Sequence, residues 1–483
     1  MAKKDKEFVK EITPQSEDYS QWYLDVILKA QMMDYSPVKG CMVIRPYGFT
    51  LWENMQQGLD RRIKETGHRN AYFPLFIPES LLQKEADHVE GFAPEVAWVT
   101  HGGNEKLAER LVVRPTSETI ICEMYSRWIQ SYRDLPVLIN QWCNVVRWEK
   151  VTRPFLRTSE FLWQEGHTAH RNEEDAQEET LKMLEVYRDF VENDLAVPVV
   201  TGQKTDNEKF AGALRTYSIE ALMSDGKALQ AGTSHNLGEH FAKVFDITYL
   251  DSDGELKYVW QTSWGVSTRL VGAIIMVHGD DRGLVMPPKV APTQVILVPI
   301  APKKVREEVL PKVAAIYEDL KATGVRIEMD DREEYSPGWK FNEWEMKGVP
   351  LRIEIGPRDL ENGQAILARR DNGEKETVSL VDLKERINTL LAEIQSNMFA
   401  KAVAFREENT HRTDDYEEFK KIIEEKRGFV ISRWCGNSEC EQAIKEETKA
   451  TIRCIPFNQE EKPGPCLRCG GTSDRLAYFA RAY

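Results

Sequence analysis

No apolar run in the chain approaches the ~18 residues that a membrane-spanning helix needs. The opening stretch MAKKDKEFVK has basic residues with no apolar segment behind them, so it does not read as a secretory leader. Both absences point to a cytoplasmic protein. Positive charge is also short. Lys and Arg total 64 against 78 Asp and Glu, a net charge of −14. A sequence-indifferent nucleic-acid coat would be basic throughout, so that class is excluded, although a local basic patch is not. No G-x-x-x-x-G-K-[ST] occurs, so a nucleoside triphosphate would have to bind without a P-loop. Internal repeats and low-complexity tracts are missing as well. Cysteine is sparse before residue 435, where Cys41, Cys122 and Cys143 read as small core residues.

What is present suggests more than one domain: 483 residues, 41% hydrophobic and 29% charged. The pattern divides the chain at 1–285, 290–400 and 401–483. The first region is rich in Trp, Gly and Arg, with strand-like segments at 41–45, 111–114 and 137–142. Leu181, Leu184, Tyr187 and Val191 fall on one helical face. A Gly- and Pro-rich stretch, 279–294, marks the first boundary. In the second region strand-like 295–300, 325–329 and 351–355 alternate with helical patterns (Val305 to Leu320, and Leu383 to Ile394), as in an α/β domain with a mixed sheet. The whole is expected to be α+β.

The third region holds Cys435, Cys440, Cys466 and Cys469, spaced C-x4-C and C-x2-C with 25 residues between the pairs. Each pair closes a knuckle, and four thiolates satisfy tetrahedral zinc with no open position, so a structural Zn2+ is expected. Disulfides or a redox pair are the rival readings, and a cytoplasmic chain disfavours disulfides. Cys454, between the pairs, is not expected to be a ligand.

The densest chemistry lies at 147–167. Arg147, Glu149, Arg157, Phe161, Trp163 and Glu165 fall within 19 residues. Two antiparallel strands joined by a loop at 150–154 would bring Arg147 and Glu149 together on the first strand, and Arg157, Phe161 and Trp163 together on the second. Arginine forks suit phosphate, an aromatic face suits a purine, and a carboxylate accepts from an exocyclic amine. Together these match a nucleoside triphosphate bound without a P-loop. A structural ion-pair network under a Trp-rich core is the bland alternative for this segment alone. Three other stretches favour the site. Thr116 and Glu118, after strand-like 111–113, offer a hydroxyl and a carboxylate to a ligand ammonium. Residues 230–236 read as a small-residue loop edged by His235. Gly265, Ser267 and Arg269 precede a helix at 270–276, whose N-terminus plus a cation suits an anion.

Taken together these stretches resemble the class II aminoacyl-tRNA synthetases, and within them the prolyl type, over essentially the whole chain. Residues 39–46 and 47–52 are similar to the family's motif 1, Arg147 through His167 to motif 2, 265–269 to motif 3, and 114–118 to its amino-acid-binding loop. The resemblance implies an antiparallel-sheet catalytic domain, an α/β anticodon-binding domain and a small C-terminal α+β zinc-binding domain. It implies a homodimer through motif 1, and L-proline, ATP with Mg2+, and tRNA(Pro) as substrates. Arg147, Arg157 and Arg269 would be catalytic. The ATP set would be Arg147, Glu149, Arg157, Phe161, Gln230, Thr233, Ser267 and Arg269, with Phe161 and Arg269 sandwiching adenine. Thr116 and Glu118 would hold the imino group, with Arg147 at the carboxylate and Trp163, Phe210 and His235 walling the ring. Glu345, Arg358 and Asp359 would read the anticodon. Glu160, Glu165 and His167 are left as supporting residues.

Two alternatives remain at this point. A threonyl-type enzyme would use a Cys/His/His zinc in its active site, and no suitable cysteine stands in the corresponding places. An inactive synthetase-like RNA-binding protein would be expected to lose its ATP-site arginines, and all three are present. About 100 residues separate Trp163 from Gly265, which leaves no room for the editing insertion of the common bacterial prolyl form. The terminal Tyr483 matches the eukaryote- and archaeon-like type, with its carboxylate expected to pack toward the catalytic domain.

Overall fold

The computed structural model describes residues 12–86, 95–459 and 462–483. The N-terminal stretch on which the leader reading falls lies outside them. Among the described residues no helix is long and apolar enough to cross a membrane.

An eleven-stranded sheet organises most of the chain. The catalytic region contributes β1 (Arg69–Asn70), β2 (Val137–Val146), β3 (Glu160–His170), β4 (Val199–Gln203), β5 (Arg215–Leu222), β6 (Ala228–Gly238) and β7 (Trp260–Ser267). They lie in the order β4-β5-β6-β7-β3-β2-β1, antiparallel except for the β1–β2 pair. Helix α1 (Pro46–Glu65), which follows the short strand Met42–Ile44, and α3 (Glu173–Asn193), which crosses under β6 and β7, cover one face, whereas α2 (Glu118–Trp128), opening after 114–118, packs on the other. Asn172 caps α3 by accepting from the Asp175 amide at 2.8 Å, and Glu173, Glu174 and Asp175 suit its positive end. Met183, Leu184, Tyr187, Phe190 and Val191 then step along one face into the main core, each burial contributing about 1.5–3 kcal/mol. Leu181, expected on that face, is instead 37% exposed, since it lies off the stripe these five define. Helix α4 (Arg269–His278) completes the layer; Leu284, Met286, Val290 and Ala291 pack into the same core while Val285 packs into the core of the second region, so the Pro-rich boundary segment joins the two.

The second region is a five-stranded mixed sheet as expected: β8 (Val295–Pro299), β9 (Ile327–Met329), β10 (Leu351–Ile355), β11 (Gln364–Arg369) and β12 (Lys375–Ser379), in the order β9-β8-β10-β11-β12. Helices α5 (Arg306–Lys321), α6 (Pro337–Met346) and α7 (Leu383–Glu408) flank it. Helix α7 runs straight through residue 400, where the sequence pattern placed a boundary.

The C-terminal strands are β13 (Thr410–Arg412), β14 (Phe429–Arg433), β15 (Thr451–Pro456) and β16 (Leu476–Ala480). They do not stand apart. They continue the catalytic sheet as β13-β14-β16-β15, and β15 pairs with β4 at Ile455↔Gln203 and Pro456↔Gly202. A Cβ on Gly202 would lie 2.3 Å from the Ile455 carbonyl oxygen, so only glycine permits that approach. Across the seam Lys204, Glu220 and Arg453 form a buried ion triad, with Lys204 Nζ to Glu220 at 2.8 Å and Arg453 donating twice to Glu220 at 3.0 and 2.8 Å.

Candidate active site

Directly paired residues of neighbouring strands face the same side of a sheet. The register of β3, β7, β6 and β5 therefore sets rows of side chains on the face away from α1, α3 and α4. One row is Glu165, Gly265, Thr233 and Ser218, and the next is His167, Ser263, His235 and Thr216. Trp163 pairs with Ser267 at the end toward Arg269. This face floors a cavity of about 260 Å³.

All six residues expected at the amino acid line that cavity: Thr116, Glu118, Arg147, Trp163, Phe210 and His235. Thr116 donates to Glu118, fixing the carboxylate at the start of α2. Phe210 tilts over His235 with ring centroids 4.8 Å apart. Burial and the neighbouring His167 push the His235 imidazole down to about 3, so it is a neutral wall. Its Nδ1 lies 2.9 Å from the Thr216 hydroxyl. Trp163 is fixed by its indole N–H to Cys143 Sγ at 3.2 Å.

Of the ATP set, Arg147, Phe161, Gln230, Thr233, Ser267 and Arg269 line the same cavity. The Arg147 guanidinium lies over Phe161 at 5.5 Å and Trp163 at 5.3 Å, and its Nε donates to the Pro115 carbonyl at 3.0 Å. Burial pulls its pKa down while Glu118, Glu165 and Glu149 pull it up; the guanidinium stays charged. Arg269 is likewise lowered by burial and by repulsion from Arg147, and is held by carbonyls of Leu156 (3.2 Å) and Gln230 (3.4 Å). Residues 230–236 are not a loop: they lie within β6, and a bulge at Ala231 breaks the register beside Gln230. The expected hairpin also differs. The strands stop at Val146 and resume at Glu160, so Arg147, Glu149 and Arg157 sit on the connecting loop. Glu149 and Arg157 pair at 2.8 Å and line an adjoining pocket that shares Arg147.

Glu165 and His167, expected only as supporting residues, stand at the centre of the cavity. Glu165 is buried and accepts from Gln141 at 2.8 Å, from Ser117, and from His167 at 2.9 Å. Burial pushes its carboxyl up, but the imidazole and hydroxyl partners outweigh it and hold it below the usual range. The same pair holds His167 above its ordinary value against burial. Alternation with Trp163 along one strand was the signal that could have placed both. Ser263, whose hydroxyl is buried without a hydrogen-bond partner among the described residues, and Thr216 line the cavity unanticipated.

The remaining expected residues lie elsewhere. Glu345 accepts from Arg282 at 2.8 Å where the first and second regions meet, next to the bidentate Asp280–Arg370 pair. Asp359 caps its own short helix through the Gly356 amide at 2.8 Å, and Arg358 is exposed. Tyr483 packs against the first region by its ring: its hydroxyl donates to Asp225 at 2.6 Å and Arg153 lies 5.0 Å from the ring centre. The sulfurs of Cys435, Cys440, Cys466 and Cys469 all lie within 4.8 Å of one another, with Cys435 3.7 Å from Cys440 and 3.9 Å from Cys469. A tetrahedron of thiolates ~2.3 Å from one ion has edges of about 3.8 Å, so the set fits a metal. None of the four lines the cavity, and Cys454 is buried outside the group.

A class II tRNA synthetase is what this antiparallel sheet, with its arginines and carboxylate over one face, defines. The family model described as tRNA synthetase class II core domain (G, H, P, S and T) matches residues 98–278. An anticodon binding domain matches 294–390, and the C-terminal domain of prolyl-tRNA synthetase matches 416–483. The chain is 67% identical to the proline--tRNA ligase of Natranaerobius thermophilus over 485 aligned residues, covering 100% of both chains. It is 64% identical to that of Alkaliphilus oremlandii and 61% identical to proline--tRNA ligase 2 of Clostridioides difficile, again over 100% of each. The chain belongs to the proline--tRNA ligase family.

Proposed function

We infer that this chain activates L-proline with ATP to prolyl-adenylate and transfers the prolyl group to the 3′ end of tRNA(Pro). The observation that carries the reading is the single cavity that joins a carboxylate–hydroxyl pair and an apolar, aromatic wall to Arg147 and Arg269. A secondary ammonium meets Glu118 and Thr116. The pyrrolidine ring is buried by Trp163, Phe210 and neutral His235, at roughly 25 cal/mol per Å² of apolar area removed from water. A larger amino acid meets the Phe210–His235 wall.

The proline carboxylate attacks the α-phosphorus of magnesium-bound ATP and pyrophosphate leaves. The terminal ribose hydroxyl of the tRNA then attacks the adenylate carbonyl and AMP leaves. Neither step needs an enzyme nucleophile. Arg147 holds the α-phosphate and carboxylate in line. Arg157, released from Glu149, reaches the distal phosphates, and Arg269 stacks adenine against Phe161 and reaches the γ-phosphate. Gln230, Thr233, Ser267 and Glu149 contact the nucleotide. Residues 1–285 form the catalytic domain, 290–400 the anticodon-binding domain and 401–483 the zinc-binding domain. Glu345, Arg358 and Asp359 read the anticodon, and Glu345 exchanges Arg282 for a base to do so. The four cysteines hold a structural Zn2+, whose chemistry is to fix the knuckles.

Tyr35, Val38, Val43 and Phe49, 60, 56, 50 and 40% exposed around the motif 1 stretch, support a homodimer through that face. The protein is placed in the cytoplasm. The test is ATP–pyrophosphate exchange with single amino acids, followed by charging of tRNA(Pro). Exchange with proline, and none with threonine, supports the reading; exchange with threonine alone, or with no amino acid, overturns it.

A further inference from the structure

Phe210 lies on a segment without regular structure, 204–214. The backbone of Lys204 donates to Thr216 and the amide of Phe210 to the Thr216 hydroxyl. Glu208, Lys209 and Phe210 line the cavity. At its two ends the segment is held by neighbouring elements, Lys204 Nζ to Glu220 at 2.8 Å, the Leu214 amide to the Asn236 carbonyl at 2.8 Å and His240 against the Gly212 carbonyl at 2.9 Å; the middle of the loop before Phe210 is held from the far end of the sequence. Helix α8 (Ser438–Thr448) starts at the cysteine cluster. Its Glu441, adjacent to Cys440 and only 4% exposed, accepts from the Thr205 hydroxyl at 2.6 Å and from the Asn207 amide at 3.0 Å. One turn further on, Lys445 donates to Glu208 at 2.9 Å. The two oxygens of one buried carboxylate thus span the loop three to five residues before Phe210, and the amides of Glu208 and Lys209 fold back onto the Thr205 carbonyl at 3.2 and 2.9 Å.

We propose that Glu441 is a positioning residue for the amino-acid pocket: it fixes the 204–210 loop so that Phe210 stands over His235, and thereby sets the affinity for proline. The proposal rests on the reading of the cavity as a proline site. Glu441 has no route to the nucleotide end, since its partners Thr205 and Asn207 sit on the Phe210 side alone. Its loss therefore acts on one substrate. A bidentate acceptor is needed, because Thr205 and Asn207 are two residues apart and each takes one oxygen. The carboxylate also follows directly on Cys440, so the fold of the cysteine knuckle and the shape of the pocket share one helix turn.

The experiment is ATP–pyrophosphate exchange by the full-length protein, with KM measured for proline and for ATP. In Glu441→Ala the proline KM rises about tenfold, the size of one charge-assisted hydrogen bond lost, while the ATP KM stays within twofold. Glu441→Gln, which keeps one oxygen acceptor, falls between. Asn207→Ala, a partly exposed loop change that leaves the helix and knuckle untouched, raises the proline KM two- to threefold in the same direction. Combined with Glu441→Ala it adds nothing further. Trypsin cleavage after Lys209 is faster in Glu441→Ala, and proline slows it. A proline KM within twofold of the parent in folded Glu441→Ala and in Asn207→Ala overturns the proposal, as does an equal rise in both KM values. Failure of the parent protein to exchange with proline instead overturns the underlying substrate reading.

Discussion

Replacing Arg147 by alanine probes the centre of the site. Its Nε is committed to the Pro115 carbonyl, and among the described residues its two terminal nitrogens have no protein acceptor. They are free for the oxygens that gain charge when the α-phosphorus becomes five-coordinate. One well-placed donor at developing charge is worth about 10²–10³ in rate. Two donors on a low-polarity wall of Phe161 and Trp163 set a loss of roughly 10⁴-fold or more, about 5.5 kcal/mol of transition-state stabilisation. The fold survives, because Glu165 keeps His167, Ser117 and Gln141 as partners when the guanidinium goes. Arg147→Lys keeps the charge but not the fork and loses roughly 10²-fold. The assay is proline-dependent ATP–pyrophosphate exchange at saturating ATP and proline, with circular dichroism as the fold control. A folded Arg147→Ala protein that exchanges within tenfold of the parent refutes the assignment.

Zinc measured by plasma mass spectrometry is expected near one per chain, and in Cys440→Ser it falls to background with a lowered Tm; a full complement in that variant refutes the four-thiolate site. His170, His235 and His278 are held neutral, at about 4, 3 and 4 against an ordinary 6.5, chiefly by burial. The unfolded chain takes up protons below pH 6.5 that the folded chain refuses. Stability therefore falls as pH drops from 6.5 to about 5, by up to about 1.4 kcal/mol per pH unit for each group. His167, raised by Glu165, works oppositely: its contribution is full below 6.5 and fades as pH climbs through its raised value. Urea midpoints across that window read the balance, and a flat profile from 6.5 to 5 counts against three buried neutral imidazoles. Gly166→Ala places a Cβ 2.1 Å from the Trp264 ring and is expected to destabilise by about 3 kcal/mol; an unchanged Tm shows that the ring has room to move.

The gathering of Arg147, Phe161 and Trp163 at one cavity was readable because it is local: they lie close in the sequence, and alternation along one strand put the aromatic pair on one face. Where β2 ended was not readable, since nothing in Val146-Arg147-Trp148 breaks a strand pattern; the ladder ends where the Trp148 amide turns to the Glu95 carbonyl and the Ser159 amide to the Gly40 carbonyl. Gln230 to Asn236 looked like a loop because Gly232 and small residues weaken the strand signal, while a central position between β5 and β7 overrides propensity. Glu165 and His167 were undervalued for the same reason that makes them matter: a buried carboxylate is legible only once its imidazole, hydroxyl and amide partners are assembled. Joining of β15 to β4, and the hold of Glu441 on Thr205, lie beyond any local pattern because the partners are more than two hundred residues apart.

That seam governs when the molecule can finish folding. Gln203 pairs with Ile455, so β4 waits for about 250 more residues to be synthesised before its second edge is covered. Until then a row of backbone donors and acceptors at Val199–Gln203 lies open, beside a lysine and a glutamate whose arginine partner has not yet been made. The nascent chain must shelter that edge for the length of a whole domain. Gly202, the position that admits Ile455 so closely, also offers an intruding strand the least resistance.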